Sequence, residues 1–153
     1  MSKLASKAMI PNPQLAAFGP FIGAWTTRGG HALLPGVELR GRTAFEWHEG
    51  GAFLIVRSEI DELGIPSGIA IIGSDDQTGT FTMLYFDERG VSRRYDVSIE
   101  NGVFRWSRTA PGFSQRYAIT VSPDGKALHS AGELSRDGAT WNPDLELSYE
   151  RVT

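Results

Sequence analysis

Apolar and polar residues alternate along most of this chain with a period of two. Arg93, Tyr95, Val97 and Ile99 share one face of a run whose other face carries Arg94, Asp96 and Ser98. Near the C-terminus, Leu145, Leu147 and Tyr149 oppose Glu146, Ser148 and Glu150. Successive side chains of a strand point to opposite faces, so such runs predict half-buried strands. About ten of them can be marked, at 24–33, 38–48, 52–61, 67–74, 80–87, 91–100, 103–109, 113–121, 126–136 and 143–152. Between them lie short turn strings, among them Glu49-Gly50-Gly51, Gln77-Thr78-Gly79, Glu88-Arg89-Gly90, Asn101-Gly102, Asp124-Gly125 and Asp137-Gly138. Asn-Gly and Asp-Gly suit type I′ hairpins, whose two central residues need positive φ. Short consecutive connections predict an all-β, antiparallel up-and-down meander. Closing it into a barrel removes the two edges an open sheet would expose; a two-sheet sandwich is the competing arrangement. One short helical turn is expected within residues 13–22. The chain thus divides into a flexible N-terminal segment, 1–12, and a single barrel domain, 13–153.

Composition narrows the function classes. A length of 153 residues suits one domain with a sizeable core. The formal charge of −3 argues against nucleic acid as a partner. The absence of cysteine removes disulfides, thiolate metal sites and cysteine nucleophiles. The longest apolar run, Ile69 to Ile72, is far short of the ~20 residues of a spanning helix. No membrane partner and a cytoplasmic location are therefore expected. Glycine is over-represented, at 18 residues. Most of it is turn punctuation, with Gly29, Gly30, Gly68 and Gly73 inside or beside strands, where glycine marks bulges, bends or close backbone approach.

No nucleophile elbow, phosphate loop or His-Glu-x-x-His string is present. His31, His48 and His129 fall on three different predicted strands, and their spacing does not ask for a metal. The paired acids Asp61-Glu62 and Asp75-Asp76 adjoin turns and read as solvated loops. Two clusters carry more chemistry. In a hairpin turning at Arg89-Gly90, Tyr85 and Tyr95 lie near each other and Asp87 is placed to pair with Arg93. Farther on, Phe104, Trp106 and Arg108 share a face, as do Phe113, Gln115 and Tyr117. An aromatic face interrupted by Arg and Gln is odd for a pure core, because a buried charge needs a partner. It suits a cavity holding a partly polar ligand. The candidate cavity residues are His31, Trp47, Met83, Tyr85, Arg93, Tyr95, Trp106, Arg108, Gln115, Tyr117 and Tyr149.

Gly23-Ala24-Trp25 after the helical turn, with Arg151 late in the last strand, resembles the Gly-x-Trp and closing-Arg pattern of the lipocalin/calycin superfamily. Gly41-Arg42-Thr43-Ala44-Phe45-Glu46-Trp47, the Tyr85 to Tyr95 stretch and Pro111-Gly112-Phe113-Ser114-Gln115-Arg116-Tyr117 extend the similarity to the DUF1579-like group of bacterial lipocalin-like proteins, over residues 13–152. The resemblance implies a calycin-type barrel with an internal cavity and no particular reaction. It makes Gly23, Trp25 and Arg151 structural, with the Trp plugging one end and the Arg packed over it. The nitrobindin-like haem proteins are a more distant resemblance, with a haem-ligating histidine late in the chain. Here no histidine follows His129, and strand parity turns Leu128 inward and His129 outward, which disfavours haem.

Three functions follow. The first is a carrier or sensor of a small hydrophobic or aromatic molecule, without cofactor or metal and with room for a homodimer. The second is an enzyme using the same cavity for acid/base isomerisation or cyclisation. The third is haem binding through His31 or His129.

Overall fold

The alternating segments become ten strands: β1 (Gly23–His31), β2 (Leu39–His48), β3 (Phe53–Ile60), β4 (Gly68–Ser74), β5 (Phe81–Asp87), β6 (Ser92–Glu100), β7 (Val103–Arg108), β8 (Ser114–Val121), β9 (Ala127–Ser135) and β10 (Asn142–Arg151). The computed structural model describes residues 9–153; residues 1–8 of the segment expected to be flexible lie outside the described residues. Every strand end falls within two residues of its predicted position. Each strand pairs antiparallel with the next, and β10 returns to pair with β1 from Trp25↔Arg151 to His31↔Leu145. The sheet is a closed barrel, not a sandwich, and its backbone ladder has no free edge.

The turn at Asn101-Gly102 has φ of 52° and 74°, as a two-residue hairpin of primed type requires. The two Asp-Gly turns differ from that expectation. Only Gly125 and Gly138 have positive φ there, and the aspartates instead bind backbone ahead of them. Asp137 Oδ1 accepts from the Ala139 and Thr140 N–H groups, and Asp124 Oδ1 from that of Lys126.

A 3-10 helix, Pro13–Phe21, closes one end of the barrel. Pro13 opens it, and the Asn12 side chain accepts from the Gln14 N–H. Leu15, Phe18 and Phe21 recur every third residue, the repeat of a 3-10 helix, so all three lie on one face and are fully buried. They meet a ring of strand side chains. Phe18 packs edge-on against Phe81 and Phe104 at 5.6 and 5.1 Å, and Phe21 lies tilted against Phe45 at 5.9 Å.

Trp25 is fully buried beside this plug and donates its indole N–H to the Phe21 carbonyl at 2.9 Å. The Arg151 guanidinium lies 4.2 Å above the Trp25 ring. It donates to the carbonyls of Ile22 (2.6 Å), Pro20 (2.8 Å) and Gly125 (3.0 Å). One side chain of the last strand therefore ties the end of the helix, the first strand and the β8–β9 turn together. Arg151→Ala removes three charge-assisted hydrogen bonds and the contact with Trp25, and a loss of roughly 2–4 kcal/mol is expected. Urea unfolding followed by Trp fluorescence measures it; a change under about 0.5 kcal/mol, the size of an ordinary surface substitution, would show that the clamp is not structural.

Candidate functional site

Strand direction and side-chain parity together decide which residues reach the interior. The helix plugs the end where β1 begins and β2 ends. The opposite end, where β1 ends and β2 begins, stays open. It leads into a cavity of about 480 Å³. Its apolar wall includes Phe45, Ala70, Met83, Phe104, Ile119 and Leu147. Trp106 and Tyr117 stack at 5.2 Å with rings 7° from parallel, forming one aromatic side.

The polar lining is concentrated on β1, β6, β8 and β10 near the mouth. Its centre is Asp144, only 7% exposed. One of its oxygens accepts from His31 Nε2 at 2.7 Å. The other accepts from the Tyr117 hydroxyl and, at 3.3 Å, from Gln115 Nε2. The Gln115 carbonyl in turn accepts from the Tyr95 hydroxyl (2.7 Å) and from Arg93 (3.4 Å). The Leu33 N–H donates to His31 Nδ1 at 3.0 Å, so Nε2 carries the ring proton that faces Asp144. Deeper in, Ser130 pairs with the Tyr149 hydroxyl at 3.1 Å and Thr27 with Thr43 at 2.9 Å. Among the described residues, no buried side-chain nitrogen or oxygen lacks a partner.

Asp144 reaches the interior because β10 is bulged. The β9–β10 register runs from Pro143↔Glu133 to Glu146↔Ala131, so Asp144 and Leu145 together stand opposite the single residue Gly132. Strict alternation inward from Leu145 would put Asp144 outside; the extra residue lets both line the cavity. Pro143 is the local sign, since proline in a strand is confined to edges, strand starts and bulges. The Tyr117 ring covers Gly132, and any β-carbon at 132 would overlap it. Glycine there gives the phenol its path to Asp144.

Tyr85 sits at the rim, its ring against Gly68 and its hydroxyl donating to Asp87 at 2.7 Å. The predicted Asp87–Arg93 ion pair does not form. Arg93 stands opposite Tyr85 and turns inward, while Asp87 begins the turn and binds Arg89 at 2.7 Å. Hydrogen bonds from Arg89 and Tyr85 hold the Asp87 carboxyl well below its usual range against the opposing effect of burial. Tyr85 and Tyr95 do approach, edge-on at 6.3 Å.

Of the predicted cavity residues, His31, Met83, Tyr85, Arg93, Tyr95, Trp106, Gln115, Tyr117 and Tyr149 line the interior. Trp47 and Arg108 are not among its lining residues. Trp47 shares the inward parity of Phe45 but lies near the end of β2, beyond the plug, and is 39% exposed. Arg108 ends β7 at the rim of the mouth. Gly23 and Trp25 meet Arg151 at the closed end. The three histidines do not converge. His129 is outside, bound to Glu146 at 2.9 Å, and His48 is outside against Phe53. Both ring nitrogens of His31 are engaged, Nδ1 by the Leu33 N–H and Nε2 by Asp144.

Burial pushes all four tyrosines up from the usual value near 10. In Tyr85 and Tyr117 an aspartate adds to the shift; Tyr149 reaches about 12 despite its bond to Ser130. No family model matches the chain, and no curated protein matches it. Among solved structures, it is similar to Rv2717c from M. tuberculosis, with a TM-score of 0.66 and 16% identity, over 92% of this chain and 98% of that one. The likeness is one of fold, and the ten-strand closed ring fits a calycin-like barrel. Among the described residues no helix is long and apolar enough to cross a membrane.

Two outcomes follow. Gly132→Ala should displace the Tyr117 ring and break its bond to Asp144, at a cost of about 1–3 kcal/mol; unchanged stability in urea would mean the ring is not held there. The folded phenols keep their protons to higher pH than unfolded ones. Their contribution to stability is thus complete below pH ~10 and is lost as pH rises through the folded values. Ultraviolet titration should show tyrosinate only above the normal range and together with unfolding. A reversible step near pH 10 in folded protein would contradict the burial of these side chains.

Proposed function

We propose that the protein binds a small, largely apolar or aromatic molecule inside the barrel, as a carrier or sensor. The observation that carries this reading is the cavity itself. About 480 Å³ of apolar and aromatic interior opens at one end only, with polar groups gathered on one side of the mouth. That combination is typical of ligand sites, which span roughly 300–1,000 Å³ and orient an apolar guest with a few polar groups. The lipocalin-like resemblance of the sequence agrees with it.

His31, Asp144 and Tyr117 favour a second reading, acid/base catalysis, since they place a carboxylate, an imidazole and a phenol in one chain. It has less support. Burial first, and then the neighbouring Asp144, push the Tyr117 phenol far above neutrality, away from the range in which a general acid or base works well. The imidazole has both nitrogens occupied.

Fluorescence titration with neutral N-phenyl-1-naphthylamine tests the binding reading. Saturable one-to-one enhancement at micromolar concentration is expected. Ala70→Trp, which fills the interior from β4, should weaken it at least about tenfold, because cores and pockets at native density have no room for added volume. Folded protein that gives no enhancement, or equal enhancement in the filled variant, would overturn the reading.

A further inference from the structure

Around the mouth, among the described residues, several arginines have no ion-pair partner. Four arginines stand there: Arg89 after β5, Arg93 on β6, Arg108 ending β7 and Arg136 after β9. Arg89 is neutralised by Asp87. Among the described residues, the other three have no carboxylate within ion-pair distance, and residues 1–8 contain no Asp or Glu that could supply one. The cavity's one lining carboxylate, Asp144, is already committed to His31, Tyr117 and Gln115. Asp61 and Glu62 on the β3–β4 connection, Glu88 beside Arg89 and Asp137 beside Arg136 do not line the cavity; Glu88 accepts from the Ser67 N–H, and Asp137 from the Ser135 hydroxyl and the Ala139 and Thr140 N–H groups.

Arg93 is the best placed of the three. The residue is half-buried, and its guanidinium carbon lies 5.1 Å from the centre of the Phe113 ring. Among the described residues it donates, at 3.4 Å, to the neutral carbonyl of Gln115, and the Tyr95 hydroxyl lies close by. A guanidinium has five N–H donors in a planar fork that matches a carboxylate two-pronged. A cation in this position, half out of water and without a counter-charge, is costly unless something anionic joins it. Arg136 also lines the cavity, from the β9–β10 connection.

We infer that the guest is an amphipathic organic acid whose carboxylate is received by Arg93 at the mouth, with Arg136 contributing, while its apolar or aromatic body lies inside against Trp106 and Met83. The inference rests on the binding reading above and specifies its ligand class. Gln115 has a positioning part: its carbonyl holds Arg93, and its amide nitrogen is anchored on Asp144. The deeper polar network is satisfied by itself, so the unmet demand for a partner lies at the rim.

Competition against N-phenyl-1-naphthylamine tests this with a matched pair, 1-naphthylacetic acid and its primary amide. The acid is expected to displace the probe at least about tenfold more effectively than the amide, the scale of a charge-assisted hydrogen-bonded pair. That ratio should fall towards one in Arg93→Gln and fall partly in Arg136→Gln. Arg28→Gln, on the outer surface of β1, should keep it. Arg93→Lys, which retains the charge without the fork, should lie between. If acid and amide compete equally, or neither competes while the neutral probe binds, the acid inference is overturned and the binding reading stands. A preference for the acid that survives in Arg93→Gln overturns the assignment to Arg93. Failure of the neutral probe itself to bind overturns the binding reading instead.

Discussion

Ring closure with ten strands is the constraint on which everything else depends. Eight strands already make a barrel wide enough for inward side chains to fill, and the diameter grows with strand number. Here the inward residues need help to fill the ring. At one end the help comes from the 3-10 helix, whose Leu15, Phe18 and Phe21 complete a core with Phe45, Phe81 and Phe104. The pairing of β1 with β10 makes the ring, and Arg151 fastens the plug to it where those two strands meet. At the other end no such element enters among the described residues, and the unfilled interior is the cavity. The same geometric surplus thus accounts for the aromatic plug and for the binding site.

The cavity's polarity is set by a local irregularity of the ring. A regular β10 would send Asp144 to solvent, and His31, Gln115 and Tyr117 would lose their shared acceptor. The bulge brings the carboxylate inside, and Gly132, on the strand facing it, leaves room for the Tyr117 ring. A buried carboxylate is tolerable only with several donors, and it has three. The hydrogen bonds then run outward through Gln115 to Arg93 at the rim. A strand defect and a missing β-carbon therefore orient the side chains that would meet a ligand.

The fold was legible because its signals are local: period-two alternation marks strands, and turn strings mark hairpins. Closure followed from the cost of exposed edges. The site was legible only in part. Parity identifies the inward face but says nothing about depth, so Trp47 looked equivalent to Phe45 although it lies past the plug, and Arg108 looked equivalent to Trp106 although it stands at the rim. Asp144 escaped because alternation fails at a bulge; Pro143 was its local trace. Gly132 left no local sign, since its role arises from a ring on the adjacent strand. Asp87 and Arg93 are close enough in sequence to suggest a pair, but Arg89, inside the turn, reaches the carboxylate first and leaves Arg93 to the interior.

Locating a guest is the most direct test of whether the barrel is a container. Isotope-filtered nuclear Overhauser spectra of the protein with N-phenyl-1-naphthylamine would show which side chains surround it. Contacts from the aromatic rings to the Met83 methyl, the Ala70 methyl, Ile119 and Leu147 are expected, all deep inside the ring. Contacts confined to exposed Leu33 and Leu63, or to the outer face of the sheet, would contradict an interior site.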